Sequence, residues 1–282
     1  MTRFTKSTAC RPPAGHIGAH DTMVSMRITV ILGADGAPFA HDLTSHLEPG
    51  DELVVIAPTM LDRWATGLKV CPDLDALLVA RASSVTHEVA DELIAIGYAP
   101  AWQRPSDAVV AAQLVRTDLL GAGYSLTEAT SAIAARRDLG FTLLPASDDR
   151  AELHAVVESP EGQRAIHLSE VIADPSAHEV KELVLVAETW SVSDAVRAAI
   201  GTSDVLVLGP SSRTLAIDPV LRAPGLRESI DDDLPVLIVE HNETAPPTLV
   251  QIAGMREPDP GRAEPVTADA ATVAIAARAV VR

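Results

Sequence analysis

The chain is short of cysteine, short of positive charge and without a long apolar run, and each shortage narrows what it does. Cys10 and Cys71 are its two cysteines, with no CxxC pair or His/Cys cluster beside them. No disulfide and no structural zinc are expected, and a reducing cytoplasm fits. Lys and Arg number 22 against 39 Asp and Glu, a formal net charge of −17. That argues against non-specific binding to nucleic acid phosphates. It does not exclude an anionic small molecule, because a local arginine cluster or a metal overrides the global sign. Lysine is scarce, and most of the positive charge is arginine, the better fork for phosphate. No apolar stretch approaches the roughly 20 residues that a membrane helix needs. Residues 1–25 carry Arg3, Lys6 and Arg11 without an apolar core, so they do not read as a secretory signal and are expected to form a disordered tail.

What is present is apolar material in short, regular pieces. Of 282 residues, 47% are apolar and 22% charged, enough for a sizeable core. Arg27–Leu32 reads as a strand ending at Gly33-Ala34-Asp35-Gly36, His41–Leu47 as a helix, and Leu53–Ala57 as a second buried strand. Strand, glycine turn, helix and strand in that order form a βαβ unit, so the sheet is expected to be mostly parallel and doubly wound. Apolar residues recur at helical spacing over Leu74–Arg81, His87–Ile96, Asp107–Leu120 and Ser125–Ala135, with Asp107 as an N-cap and Ser125 to Glu128 as a capping box. Phe141–Leu144, Leu153–Val157 and Arg164–Leu168 are short strand candidates for a small antiparallel insert. The α/β pattern resumes with a strand at Leu183–Ala187, a helix at Ser191–Ile200 capped by Ser191, strands at Val205–Leu208 and Pro235–Val239, and a last helix over Thr267–Val280. The expected fold is α/β: one Rossmann-like domain over 26–282, with a helical and small β insert at about 83–180.

The segment Asp204–Arg227, DVLVLGPSSRTLAIDPVLRAPGLR, carries the most functional information. An apolar strand breaks at Gly209-Pro210 into Ser211-Ser212, followed by Arg213. In a parallel sheet that is the carboxyl end of a strand, where ligands bind. Backbone N–H groups, two hydroxyls and a guanidinium suit a phosphate oxygen. An ordinary Gly-Pro turn explains the same residues, and both readings stand.

Four segments in order, GLKVCPDLD (67–75), LVRTDLLGAGYSLTEAT (114–130), LLPASDDR (143–150) and LGPSSRTLAIDPVLRAPGLR (208–227), resemble the 2-phospho-L-lactate transferase family of deazaflavin coenzyme biosynthesis in its actinobacterial form. The resemblance runs from about Met26 to Glu240. It implies a Rossmann-like core, a homodimer and Mg²⁺. It also implies transfer of a phosphoenolpyruvyl or phospholactyl group from a guanosine-diphosphate donor to the hydroxyl of the deazaflavin Fo, with GMP leaving. Residue by residue, it puts Asp75 and Arg104 at the deazaflavin, adds Arg116 from LVRT to the substrate site, and makes Gly209, Pro210, Ser211 and Ser212 the phosphate loop. Asp62 is then the remaining metal ligand. Each has a plainer explanation: Asp73 and Asp75 as first-turn acids of a helix, Arg104 as an exposed loop residue, Arg116 as half of a structural ion pair, Asp148 and Asp149 as a polar turn.

The departures from the family concentrate in the polar loops. Its Gly-rich loop after the first strand becomes Gly33-Ala34-Asp35-Gly36-Ala37-Pro38, where Asp35 brings a negative charge and Pro38 lacks an N–H. Its acidic loop after the second strand becomes Pro58-Thr59-Met60-Leu61-Asp62, and Leu61 cannot bind a metal. The Asn expected after Gly-Pro-Ser is Ser212. Where the family has Ser-Pro-Ile-Ile-Gly, this chain has Val239-Glu240-His241-Asn242. Packing signals survive while site loops differ. An alternative to the transferase is therefore a non-catalytic paralogue that binds a deazaflavin or nucleotide in a regulatory role.

Overall fold

A computed structural model describes residues 25–81, 85–253, 263–267 and 269–281. The expected N-terminal tail lies, apart from Ser25, outside the described residues. The first unit is β1 (Arg27–Ile31), α1 (Ala37–Leu43) and β2 (Glu52–Ala57). Pro38 falls in the first turn of α1, where an N–H would have had no helical partner. A hairpin of β3 (Arg63–Ala65) and β4 (Leu68–Val70) leads to four helices: α2 (Pro72–Val79), α3 (Glu88–Ala95), α4 (Asp107–Gly121) and α5 (Leu126–Ala134). Next come β5 (Thr142–Pro145), β6 (Ala151–Ser159), β7 (Gly162–His167), α6 (Leu168–Ala173) and β8 (Val180–Ala187). The chain then runs through α7 (Asp194–Gly201), β9 (Val205–Leu208), a π-helical turn Arg213–Ile217 continuing into α8 (Asp218–Leu221), β10 (Val236–Val239), α9 (Pro247–Ala253), β11 (Ala263–Val266) and α10 (Ala270–Val280).

Six strands form one parallel sheet in the order β5-β2-β1-β9-β10-β11. Taken in chain order this is 3-2-1-4-5-6, the Rossmann arrangement, with β1 and β9 side by side where the winding reverses. The apolar runs alternate sides. Val205 and Val207 join Phe39, Leu43, Leu74 and Val273 in the core on one face. Leu206 and Leu208 join Val196, Ile200 and Val220 on the other. A strand buried on both faces must be apolar at every position, which is why VLVL shows no polar alternation. Each such side chain contributes about 1.5–3 kcal/mol by leaving water.

Two strand assignments change. Phe141–Leu144 was expected in the antiparallel insert, but β5 pairs in parallel with β2 as the outer strand of the main sheet. Leu183–Ala187 was expected to resume the parallel pattern, but β8 pairs antiparallel with β6, in a three-stranded sheet β7-β6-β8. This second sheet packs its inner face on α6 and α9 through Ala155, Val157, Ile166, Leu168, Val171 and Leu249. The chain thus leaves the main sheet twice, once for helices α3 to α5 and once for the antiparallel sheet, with β5 between.

Two caps also differ. Ser106, not Asp107, caps α4, accepting the Val109 N–H at 3.3 Å. Asp107 instead holds the first N–H groups of α3, Glu88 at 3.2 Å and Val89 at 3.1 Å. Ser193, not Ser191, caps α7. The capping box of Ser125 and Glu128 forms as expected. At the far end of the chain, Arg278 of α10 pairs with Asp51 and Glu48 just ahead of β2, and Asp51 also accepts the Met26 N–H at 2.9 Å.

Candidate functional site

Three loops meet where β1, β9 and β10 end: 33–36, 209–214 and 240–246. Their backbones approach closely. A Cβ on Gly36 would lie 2.7 Å from Ser211 Oγ, and one on Gly209 2.8 Å from Leu32 Cβ, so glycine is required at both. Gly209, Pro210, Ser211 and Ser212 are all buried. Gly33 N–H donates to Ser211 Oγ at 3.0 Å, and Ala34 N–H to Asp73 Oδ1 at 2.7 Å. Ser212 N–H donates to Asp35 Oδ2 at 3.1 Å. Ser212 Oγ donates to Glu243 and accepts the Leu215 N–H at 3.0 Å. Thr214 gives Glu243 Oε2 both its N–H, at 3.0 Å, and its hydroxyl, at 3.1 Å. Burial opposes the Glu243 charge, but Ser212, Ala245 and Thr214 outweigh it and hold the pKa below the usual glutamate value. The Arg213 guanidinium, expected to face a phosphate, is engaged by Asp218 at 2.9 Å.

The first turn of α2 joins this crevice to a second opening. Asp73 and Asp75 are two residues apart in that turn, so their side chains leave the helix on different sides, and both are buried. Asp75 borders a cleft of about 330 Å³ whose wall also includes Arg63, Trp102, Arg104, Gln113 and Leu93. The Arg63 guanidinium lies over the Trp102 indole, 5.2 Å from the ring centre, a cation–π arrangement. Arg104 is held at the rim by Asp91, with Nη2 at 2.8 Å from Oδ2. Asp75 Oδ1 accepts from Arg116 Nη2 at 2.7 Å, and Oδ2 from Gln113 Nε2 at 2.8 Å.

Arg116 is 0% exposed. It also donates to the Lys69 carbonyl at 3.2 Å, while Thr117 Oγ1 accepts the Lys69 N–H at 2.9 Å. The LVRT segment therefore fastens α4 to β4 and fixes Asp75, and Arg116 makes the structural ion pair that was the plainer of its two explanations. Asp148 accepts the Thr127 N–H at 2.6 Å and Asp149 the Ser191 N–H at 3.0 Å, so that pair anchors neighbouring segments.

Asp62 is buried with Lys69 Nζ 3.4 Å away, and neither of its carboxyl oxygens has a hydrogen bond. Burial pushes its pKa up, against the pull of Lys69. Asp73 Oδ2 is likewise buried without a partner. Burial pushes Asp73 up to about 7, although the Ala34 hydrogen bond works the other way. Among the described residues, no three His, Cys, Asp or Glu side chains form a metal-holding group. Mg²⁺ rarely needs one, since it takes one or two carboxylates and completes its shell with water and substrate phosphates. Orphaned oxygens on Asp62 and Asp73 have the hard-donor chemistry for that role.

Asp75 and Arg104 were expected at the deazaflavin and Ser211 in the phosphate loop. Asp75 and Arg104 share the cleft. Ser211 belongs to the crevice next door and connects through Gly33, Ala34 and Asp73. Trp102, Arg63, Gln113 and Glu243 were missed. Trp102 was detectable as one of three tryptophans; Glu243 carried no motif.

Residues 28–248 match the family model of 2-phospho-L-lactate transferase CofD. The chain belongs to this family. A phosphoenolpyruvate transferase of Streptomyces griseus is 38% identical over 219 residues, 73% of this chain and 69% of that protein. One from Kitasatospora aureofaciens is 36% identical over 219 residues, 73% of this chain and 68% of that protein. One from Mycobacterium marinum is 35% identical over 207 residues and is spanned over 59% of its length. A crystal structure of a UPF0052 family member from Bacillus halodurans shares the fold, with a TM-score of 0.54 at 18% identity over 76% of this chain and 69% of that one. As a member of the CofD family, the chain shares its scaffold over residues 28–248. No helix among the described residues is long and apolar enough to cross a membrane.

Proposed function

We propose that this chain moves a phosphoenolpyruvyl or phospholactyl group from a guanosine-diphosphate-linked donor to the hydroxyl of the deazaflavin Fo. The acceptor oxygen bonds to the transferred phosphorus, the phosphorus–oxygen bond to GMP breaks, and the hydroxyl proton is released. One observation carries this reading: Asp75 borders the cleft, while Asp73, two residues earlier in the same turn of α2, accepts the Ala34 N–H of the loop that meets Ser211. The cleft offers a flat ligand an indole face at Trp102 and a guanidinium at Arg104, beside the carboxylate of Asp75. Arg116 and Gln113 keep that carboxylate in one orientation, so the ligand meets a fixed acceptor. On the other side, the 33–36 and 209–214 loops carry backbone and hydroxyl donors of the kind that phosphate oxygens take, those of Ser212 and Thr214 being bonded to Asp35 and Glu243 in this structure.

Asp62 and Asp73 would hold Mg²⁺, which would neutralise diphosphate charge as GMP departs. A cytoplasmic homodimer with no nucleic acid partner completes the reading, and sedimentation of the purified protein checks its dimeric part. The decisive experiment is incubation with Fo, the guanosine-diphosphate donor and Mg²⁺. A phosphorylated deazaflavin and an equal amount of GMP are expected. Neither product at high enzyme concentration defeats the transferase reading, and deazaflavin binding without turnover points to the regulatory paralogue.

A further inference from the structure

Two carboxylates already occupy the donors of the crevice. Glu243 Oε1 accepts from Ser212 Oγ and from Ala245 N–H at 2.8 Å, and Oε2 accepts the N–H and hydroxyl of Thr214. Asp35 Oδ2 accepts the Ser212 N–H at 3.1 Å and the Thr244 hydroxyl at 3.2 Å, with His241 Nε2 at 3.4 Å. Loops from three neighbouring strands, β1, β9 and β10, are thus tied together through two negative groups. Four donors on one carboxylate, two of them hydroxyls and two of them backbone amides, form the environment in which a phosphate oxygen is held. A ligand phosphate cannot use the Ser212 and Thr214 groups while Glu243 does. Nor would it settle beside the carboxylate, since like charges in a partly enclosed site repel strongly.

We propose that residues 241–245 form a strap that closes the crevice by placing Glu243 where a ligand phosphate would bind, so that an anionic donor enters only by displacing it. Glu243 then sets how tightly the donor side holds a nucleoside diphosphate, and the strap is the element that must open. His241 and Thr244 anchor the strap on Asp35; Ala245 N–H keeps the carboxylate pointing inward. The inference rests on the reading of this crevice as the donor side.

The test uses the full chain with guanosine diphosphate and Mg²⁺ as probe. Calorimetry compares the parent with Glu243→Ala and Glu243→Gln; the Gln variant keeps an acceptor oxygen but no charge, and it carries the test if the Ala variant fails to fold. Binding at least tenfold tighter in a variant than in the parent is expected. In the parent, saturating guanosine diphosphate should also speed amide hydrogen exchange across 241–245. Equal or weaker binding in both folded variants, or new protection of 241–245 on binding, overturns the strap while leaving the donor reading intact. No binding by parent or variants at millimolar nucleotide removes the donor reading, and the strap with it.

Discussion

The cleft and the crevice solve the same electrostatic problem in different ways. In the cleft, the buried acid Asp75 faces a cation that the chain brings to it, Arg116. In the crevice, Asp35 and Glu243 are satisfied largely by neutral amides and hydroxyls. The first solution leaves the Trp102 face and the Arg104 rim open to a ligand. The second consumes the groups a ligand would need. A protein can therefore keep one half of a two-substrate site prepared while the other half is closed on itself, and the two halves are open to separate attack by mutation.

The harshest way to break the contrast is Arg116→Met. Removing one partner of a fully enclosed pair leaves the Asp75 charge alone, which costs about 3–5 kcal/mol. Urea unfolding reads this directly, and a loss below about 1 kcal/mol would mean that the cleft does not depend on a fixed cation. Asp73 lies between the two regions and tests both. Its folded pKa of about 7 is above its unfolded value near 3.8. The folded state therefore binds the extra proton, and stability from this group is complete below about pH 4 and lost as pH rises towards 7. Asp73→Asn should be near neutral at pH 4 and stabilising by about 3–4 kcal/mol at pH 8 in metal-free buffer. A stability gain that does not grow with pH would show that Asp73 is already ionised without strain. The mildest change is Arg104→Ala. The Arg104–Asp91 pair is exposed and contributes little to stability. The melting temperature should stay within error of the parent while Fo fluorescence titrations show weaker binding; unchanged binding would take Arg104 out of the acceptor site.

Much of the scaffold was legible because burial on both sheet faces forces continuous apolar runs. RITVI, ELVVIA, VLVL and VLIV announce β1, β2, β9 and β10 without reference to anything distant. The capping box at Ser125 is equally local. What failed was assignment to a sheet. TLLP and VKELVLVA are both short and apolar, yet one extends the parallel sheet and the other lies at the edge of the antiparallel one, a choice made by partners far away in sequence. β3 and β4 escaped because three-residue strands carry no period. At the site, Arg116 took the plainer of its two explanations, a structural ion pair, but no local pattern said that its partner is Asp75. Asp35 looked like a flaw in a phosphate loop. Its carboxylate turns instead onto Ser212 N–H, 177 residues later, a pairing that no local pattern encodes.

The contact between Arg278 and Asp51 closes a span of 227 residues. Asp51 supports the entry into β2 and holds Met26 beside β1, so the opening βαβ unit carries an acidic side chain, almost wholly enclosed, whose cation is made 227 residues later. During translation the ribosome releases that first unit long before α10 exists. Until α10 emerges and docks, the Asp51 carboxylate stays in water, so its enclosure and its ion pair form together in a late, long-range step.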